Sequence, residues 1–521
     1  MFKSLRLFSK PENMLVFTAF ITSLVWAMLV PVWHFPDEQA HFAQVQNTSE
    51  LGRDPQGSLD LSQEIAESER VLETLRDARG NNSFTGNPGF NLSYPAGFEG
   101  ARERQLKSLP PEARKVFVAR ESPRYPPLFY WYSAAWYQMG YGSDLFTRVL
   151  LVRLGSSFLF AGIVFISYKL GQELFPKEKA HALSVATLVA FHPMLLFVSS
   201  GINNDTLVTL IASAITVLGM QLIRLGYSFK RVATLALLFA LGMLTKQTIF
   251  LLTPFLLIVL VATFLKHRGS IKKVLLFMFV ALLSLLAVYL LMKLLNQGFW
   301  LPYWPLSVNE MIANPNFLPS LQSLLARVYR ETLPWYWGVF KWLGVVFPLP
   351  LIRVFKLLMI ASFVGWIVFL IEVVRKKTRI EHGWQWLALV LGNVGYVAGL
   401  IAWELSAILR LGFGHGIQGR YFFPLIVSQM ALLYVGWLQL VPKSLRARYT
   451  KMLTITLVGL GIYSLWYVLS QYYSLESAHL FFQQASHYKS SFAKWPFLAF
   501  WILAWMGMLT SFIIKTVTRK H

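Results

Sequence analysis

Five short stretches of the chain gather the ionisable side chains that could act on a substrate. The first is Trp33-His-Phe-Pro-Asp-Glu-Gln-Ala-His-Phe42. Pro36 suits a helix start, and Asp37 and His41 then stand four residues apart on one helical face. A carboxylate in that position is a general base, half of a metal site, or favourable charge at a helix N-terminus. The second stretch, Arg120-Glu-Ser-Pro-Arg-Tyr-Pro-Pro-Leu-Phe-Tyr130, leads to Arg148 and Arg153; its aromatic residues Tyr130, Trp131 and Tyr132 read as interfacial anchors. The third is Phe191-His-Pro-Met194 followed by Gly201-Ile-Asn-Asn-Asp205. His192 fits a hydrogen-bonded structural role better than a catalytic one, and Asp205 either caps the next helix or serves a site. The fourth is Lys246, between two apolar runs with no acidic residue near it in sequence. An unpaired cation there needs an anion, unless it snorkels to the interface. The fifth comprises Trp403-Glu404, Arg410, His415 and Gln418-Gly-Arg-Tyr-Phe-Phe-Pro424. Arg420 begins an apolar run, where its planar fork suits a phosphate; the competing reading is an interfacial anchor.

Carboxylates above a membrane leaflet and cations at its edge suit a lipid whose phosphate lies at headgroup level and whose reactive group projects outward. A sugar on a polyprenyl phosphate has that shape. Its phosphate leaves with growing negative charge, which fixed Lys and Arg side chains stabilise more in the transition state than in the ground state. The attacking acceptor hydroxyl loses a proton, and one positioned carboxylate suffices to take it. Because the phosphate leaves readily, the two-carboxylate arrangement of glycoside hydrolases is unnecessary.

The elements that must position these residues are set by composition. The 521 residues are 55% hydrophobic and only 14% charged, too few charges to cover a water-facing surface. The net charge of +23 comes without the polar surface of a soluble nucleic-acid binder, so nucleic acid is not an expected partner. With no cysteine, disulfides and thiolate metal sites are excluded. The expected fold is an all-α polytopic membrane protein forming one domain over residues 1–521. Twelve apolar runs are long enough to span, at 14–33, 147–168, 181–199, 204–223, 232–248, 249–265, 274–295, 353–374, 384–403, 420–440, 452–471 and 495–514. The first has a basic flank but no small-residue cleavage site, which favours a retained helix. Alternate connections hold 24 of the 48 Lys and Arg, placing both termini in the cytoplasm. The opposite side carries the long connections. The first, residues 34–146, holds 11 basic and 15 acidic residues, with an amphipathic helix expected over Leu59–Arg79 and irregular loop over Gly80–Gly100. The second, residues 296–352, contains a helix-like stretch Leu318–Glu331 and an aromatic run ending at Trp342.

The motifs Pro36-Asp-Glu-Gln-Ala-His-Phe42, Tyr125-Pro-Pro-Leu-Phe-Tyr130, Phe191-His-Pro-Met194, Asn203-Asn-Asp205, Thr245-Lys246, Trp337-Gly-Val-Phe-Lys-Trp342 and Gln418-Gly-Arg-Tyr-Phe-Phe-Pro424 occur in this order over residues 14–440. Together they resemble a bacterial membrane family within the GT-C glycosyltransferase superfamily. The resemblance implies a GT-C-like fold with a large helical first extracytoplasmic loop. It also implies a polyprenyl-phosphate (undecaprenyl-phosphate) sugar donor, used on the periplasmic face of the bacterial inner membrane. By position, Asp37 is the base and Glu38 its less favoured neighbour. Lys246 and Arg420 hold the lipid phosphate, with Arg148, Arg153 and Arg410 as further phosphate or lipid contacts. His41, His192, Asn203, Asp205, Glu404 and Tyr421 line the substrate. Some GT-C enzymes use a divalent metal and others do not; the Asp37 and His41 spacing allows a ligand, but one Asp, Glu and His set is not a site. Lys341, inside the aromatic run, departs from the more apolar form of that motif. The leading expectation is an inverting sugar transfer to an extracytoplasmic glycan, lipid or protein. Other readings are a polymerase or ligase of lipid-linked glycans, which needs arginines in an outer loop, and a flippase or transporter. The last predicts ionisable residues at the membrane midplane and pseudo-symmetric halves, unlike this pattern.

Overall fold

A computed structural model describes residues 10–52, 60–75, 99–119, 125–267, 271–294, 306–376 and 382–518. Helix α1, Pro11–Leu29, starts on Pro11, whose missing N–H costs nothing in the first turn. It ends just before Pro31, four residues short of the expected limit. An outer layer follows: α2 (Glu38–Leu51), β1 (Asp60–Ser62), α3 (Gln63–Val71), α4 (Glu99–Lys107), β2 (Phe117–Ala119) and α5 (Leu128–Met139). β1 and β2 pair antiparallel, Leu61 opposite Val118. The helix expected over Leu59–Arg79 is therefore shorter, with a strand before it, and residues 76–79 lie outside the described residues. Of the loop expected over Gly80–Gly100, residues 80–98 also lie outside them, and its last two residues open α4.

Long helices then alternate with tight turns. In order they are α6 (Leu145–Leu174), α7 (Lys179–Ala190), α8 (Pro193–Ser200), α9 (Asn204–Leu225), α10 (Phe229–Met243), α11 (Thr253–His267) and α12 (Ile271–Leu294). The second long connection carries α13 (Val308–Ala313), α14 (Phe317–Arg327), α15 (Leu333–Trp337) and a hairpin of β3 (Val339–Phe340) and β4 (Val345–Val346). The last part comprises α16 (Leu349–Lys376), α17 (Gly383–Leu411), α18 (Ile426–Leu440), α19 (Arg446–Leu469), α20 (Ala478–Ala485) and α21 (Phe497–Thr518).

Each of the twelve apolar runs overlaps a helix, but fewer than twelve qualify as spans. Among the described residues, nine helical segments are long and apolar enough to cross a membrane, ten when the bent pair α7 and α8 counts as one span. The architecture is thus an all-α, multi-pass membrane protein. The bend of 59° falls at His192-Pro193, where proline removes a helix hydrogen bond and the His192 ring accepts the Leu195 N–H at 3.2 Å to start α8. The run at 232–248 forms the 15-residue α10, which stops at Met243 and leaves Lys246 in a turn before a 3-10 segment, Gln247–Leu252.

α1 packs along α6, α8 and α21, while α6 also contacts α7 and α9, and α16 lies along α18. The last contact depends on glycine: a Cβ on Gly365 would lie 1.8 Å from the Gly436 carbonyl oxygen. Small residues let helix backbones meet where no hydrophobic effect drives them together. Trp26, Phe197 and Phe340 mesh at the centre, their ring centroids 5.1–6.1 Å apart.

Candidate active site at one end of the helices

The turn carrying Asp37 is clamped from several sides. A helix leaves its last carbonyls without partners, and at the end of α1 three other elements supply the donors. Arg153, from α6, donates to the carbonyls of Ala27, Val30 and Pro31 at 2.7–2.9 Å. Lys489 reaches the Val30 carbonyl at 2.8 Å, and the Tyr473 hydroxyl donates to Leu29 at 2.6 Å. Arg153 also forks onto Glu38, at 2.8 and 2.6 Å, and Glu38 accepts the Trp33 N–H at 3.0 Å. Both partners are almost wholly buried. The pair expected as a phosphate contact and a neighbouring base therefore joins α6 to the turn. Asn203 adds a bond from its amide to the Pro36 carbonyl at 3.1 Å. Asp37 itself adopts φ 56°, a left-handed conformation uncommon for a side-chain-bearing residue, and its carboxylate makes no cap bond to α2.

That carboxylate joins a line of alternating charges drawn from four separate elements. Arg420, in the 3-10 turn before α18, donates from Nη2 to Asp37 Oδ2 at 2.6 Å. Its Nε lies 3.7 Å from Asp205 Oδ2, at the start of α9. Lys246 completes the line at 2.5 Å from Asp205 Oδ1. The anion that Lys246 lacked in sequence is thus Asp205, 41 residues away. Asn203, not Asp205, caps α9, its side chain accepting the Asp205 N–H at 2.8 Å. The Lys246 ammonium also lies 5.8 and 5.6 Å from the ring centres of Tyr125 and Tyr421, so aromatic faces hold it on two sides.

Exposure differs along the line. The Asp37 side chain is 25% exposed, whereas Arg420 is 4% and Asp205 6% exposed. Buried polar groups normally find hydrogen-bond partners. Arg420 departs from that rule: among the described residues, Nε and Nη1 have none, and Asp205 Oδ2 accepts none. Gly419 sets where Arg420 stands, because a Cβ there would lie 2.2 Å from the Tyr336 backbone nitrogen. The Gln-Gly-Arg-Tyr motif therefore rests against the aromatic run of α15.

His41 stands beside this line. Its Nδ1 lies 2.8 Å from the Tyr130 hydroxyl and its ring stacks on Tyr125 at 5.3 Å. Burial pushes its pKa down to about 3, so the ring is neutral at ordinary pH. Burial also raises the Tyr125 hydroxyl above its usual range, keeping it a donor. Among the described residues, no group of three or more His, Asp and Glu side chains is placed to hold a metal ion. Asp37 and Asp205 are already faced by cations.

The other expected residues lie apart from the line. Arg148 is fully buried, paired with Glu64 and bonded to the Tyr137 hydroxyl at 2.8 Å, which ties α3 to α6. His192 stacks on Trp337 at 4.9 Å, its Nε2 buried without a hydrogen-bond partner among the described residues. Glu404 pairs with Arg327 and accepts the Gly416 N–H at 2.9 Å, holding α14 to α17. Arg410 is exposed in a small cleft with Trp403 and His415, whose rings stack at 4.7 Å. Lys341 is buried 5.8 Å from the Tyr472 ring centre, and burial lowers its pKa. Arg120 and Arg124 lie outside the described residues. Tyr125 was not singled out from the sequence; only its place beside two prolines marked it.

The family model described as "Predicted membrane protein (DUF2142)" matches residues 20–429. No curated protein matches the chain. Among solved structures, similarity extends to ArnT from Cupriavidus metallidurans bound to undecaprenyl phosphate. The identity is 12% over 96% of this chain and 76% of that one, with a TM-score of 0.46. The apo state of the same protein gives 11% identity, the same coverages and a TM-score of 0.43.

Proposed function

The chain belongs to the predicted membrane protein family DUF2142, and we propose that it transfers a sugar from a polyprenyl-phosphate donor to an acceptor outside the cytoplasm. One observation supports the reading: Arg420 is a buried guanidinium whose Nε and Nη1 have no hydrogen-bond partner among the described residues, and it also touches the carboxylate of Asp37. A phosphate is the ligand whose oxygens match that fork.

In the proposed reaction the lipid phosphate lies against Arg420 and Lys246. The acceptor oxygen attacks the anomeric carbon, forming the new glycosidic bond as the bond from that carbon to the phosphate oxygen breaks. The carbon inverts, the proton of the acceptor hydroxyl passes to Asp37, and the polyprenyl phosphate departs with the electron pair. Asp37 is the base because it is the carboxylate open to an incoming acceptor, while Glu38 is committed to Arg153. As Arg420 turns toward the developing phosphate charge, the Asp37 carboxylate is freed to take the proton. His41, neutral and held by Tyr130, contributes hydrogen bonding rather than charge.

The test incubates purified protein with defined polyprenyl-phosphate sugars and candidate acceptors, following product and lipid binding separately. Wild-type protein is expected to transfer with inversion. Lys246→Ala and Arg420→Ala are expected to lose lipid-phosphate binding; unchanged binding in both removes the phosphate assignment. Treatment with EDTA is expected to leave transfer intact, and activity lost to EDTA and restored by a divalent cation would add a metal to the reaction.

A further inference from the structure

At the end of the molecule opposite the Asp37 line, a cavity of about 820 Å³ opens between five helix ends. The direction of the helices shows the opposition: α1 runs from this cavity toward Asp37, and the chain from Arg420 through α18 leads back to it. Its volume lies within the roughly 300–1,000 Å³ of small-ligand pockets. Lys177, Lys179, Lys443, Arg446 and Lys451 line it. The lining carboxylates are Glu12 and Glu178, and Glu178 turns to His181 at 2.5 Å. Among the described residues none of the four lysines makes an ion pair.

Three helical segments also begin in this cavity: α1 at Pro11, α7 at Lys179 and, at Lys443, the 3-10 turn Lys443–Leu445 that runs directly into α19. None of the three has a side-chain cap. Their first-turn N–H groups and partial positive charges therefore add to the cations. The Thr516 hydroxyl, also in the lining, is buried with no partner among the described residues. The preference for basic loops on one membrane face accounts for cations on this side. It does not account for their convergence, with three uncapped helix starts, on one concavity.

We infer that this cavity binds the headgroup of an anionic phospholipid of the membrane. Its surroundings favour a lipid over a free anion. On α19 and α21, which both line the cavity, Met452, Ile455 and Ile514 are exposed within the apolar spans, so acyl chains have apolar side chains to lie against below the headgroup. Basic clefts between helix ends on this face suit acidic headgroups, each cation adding about a fivefold factor in affinity.

The test uses the full chain, delipidated in neutral detergent and titrated with phosphatidylglycerol, phosphatidylcholine of the same acyl chains, and inorganic phosphate. Bound lipid is read by native mass spectrometry and stability by the thermal midpoint. Phosphatidylglycerol is expected to remain bound and raise the midpoint, and the other two are not. The Lys443→Ala/Lys451→Ala protein is expected to bind phosphatidylglycerol about 25-fold more weakly, from about fivefold per cation, while Lys443→Arg/Lys451→Arg retains it. Equal retention of phosphatidylcholine, or unchanged affinity in the alanine protein, would overturn the site. A midpoint shift with inorganic phosphate equal to that with phosphatidylglycerol would overturn the lipid assignment.

Discussion

Asp37→Asn separates the two roles that meet at Arg420. Asparagine keeps the shape of aspartate and an oxygen to accept the Arg420 Nη2 hydrogen bond, now 2.6 Å long, so the turn clamped by Arg153, Lys489 and Tyr473 has no reason to move. What disappears is the charge and the ability to take a proton. Removal of a positioned general base costs about 10²–10⁴-fold in rate. Binding is expected to change in the opposite sense. A charge-assisted hydrogen bond has a net worth of about 1.5–3 kcal/mol, against about 0.5–1.5 for a neutral one. Arg420 is therefore released from residue 37 more easily by roughly 1 kcal/mol, and lipid phosphate should bind about fivefold tighter, with 1.4 kcal/mol per factor of ten. The assay measures transfer under single-turnover conditions and lipid affinity on the same preparations. A variant that transfers at the wild-type rate would refute the base. One that loses lipid binding together with turnover would refute the division between base and phosphate cradle.

Three further outcomes follow from the same geometry. Replacing Arg153 by methionine strands buried Glu38 and several α1 carbonyls, so thermal or denaturant unfolding should register a loss of about 3–5 kcal/mol; a change within 0.5 kcal/mol would show that the clamp is not structural. Gly419→Ala forces the chain away from Tyr336 and should weaken lipid binding without changing any charge; unaltered affinity would mean that Arg420 is not positioned by this contact. For His41, the folded pKa near 3 lies below the unfolded value near 6.5, so between those limits the unfolded chain binds the extra proton and stability falls as pH falls. Unfolding measured from pH 6.5 down to 4 should flatten in His41→Gln by up to about 1.4 kcal/mol per pH unit, and an unchanged slope would show that this ring does not contribute.

Hydropathy and charge alternation are local properties, and they located every long helix because roughly twenty apolar residues have few alternatives to a helix in a membrane. Proline ends α1 and breaks the helix at His192, and the apolar runs at 14–33 and 181–199, which pass through both positions, foresaw neither. Motif spacing also drew attention to Asp37, Asp205, Lys246 and Arg420 as residues out of place in an apolar chain. It left open which carboxylate faces which cation. Arg153 and Arg148 looked, from sequence, no different from Arg420: each is an arginine near the outer end of a long apolar run. Only packing separated them. α1 ends beside Arg153 and delivers its unpaired carbonyls and Glu38 to that guanidinium, and α3 brings Glu64 to Arg148. Arg420 meets Asp37 across 383 residues of chain, and its Nε and Nη1 have no hydrogen-bond partner among the described residues. Residue type is written position by position, but whether a buried charge is fully used depends on partners that close together only when distant helices dock.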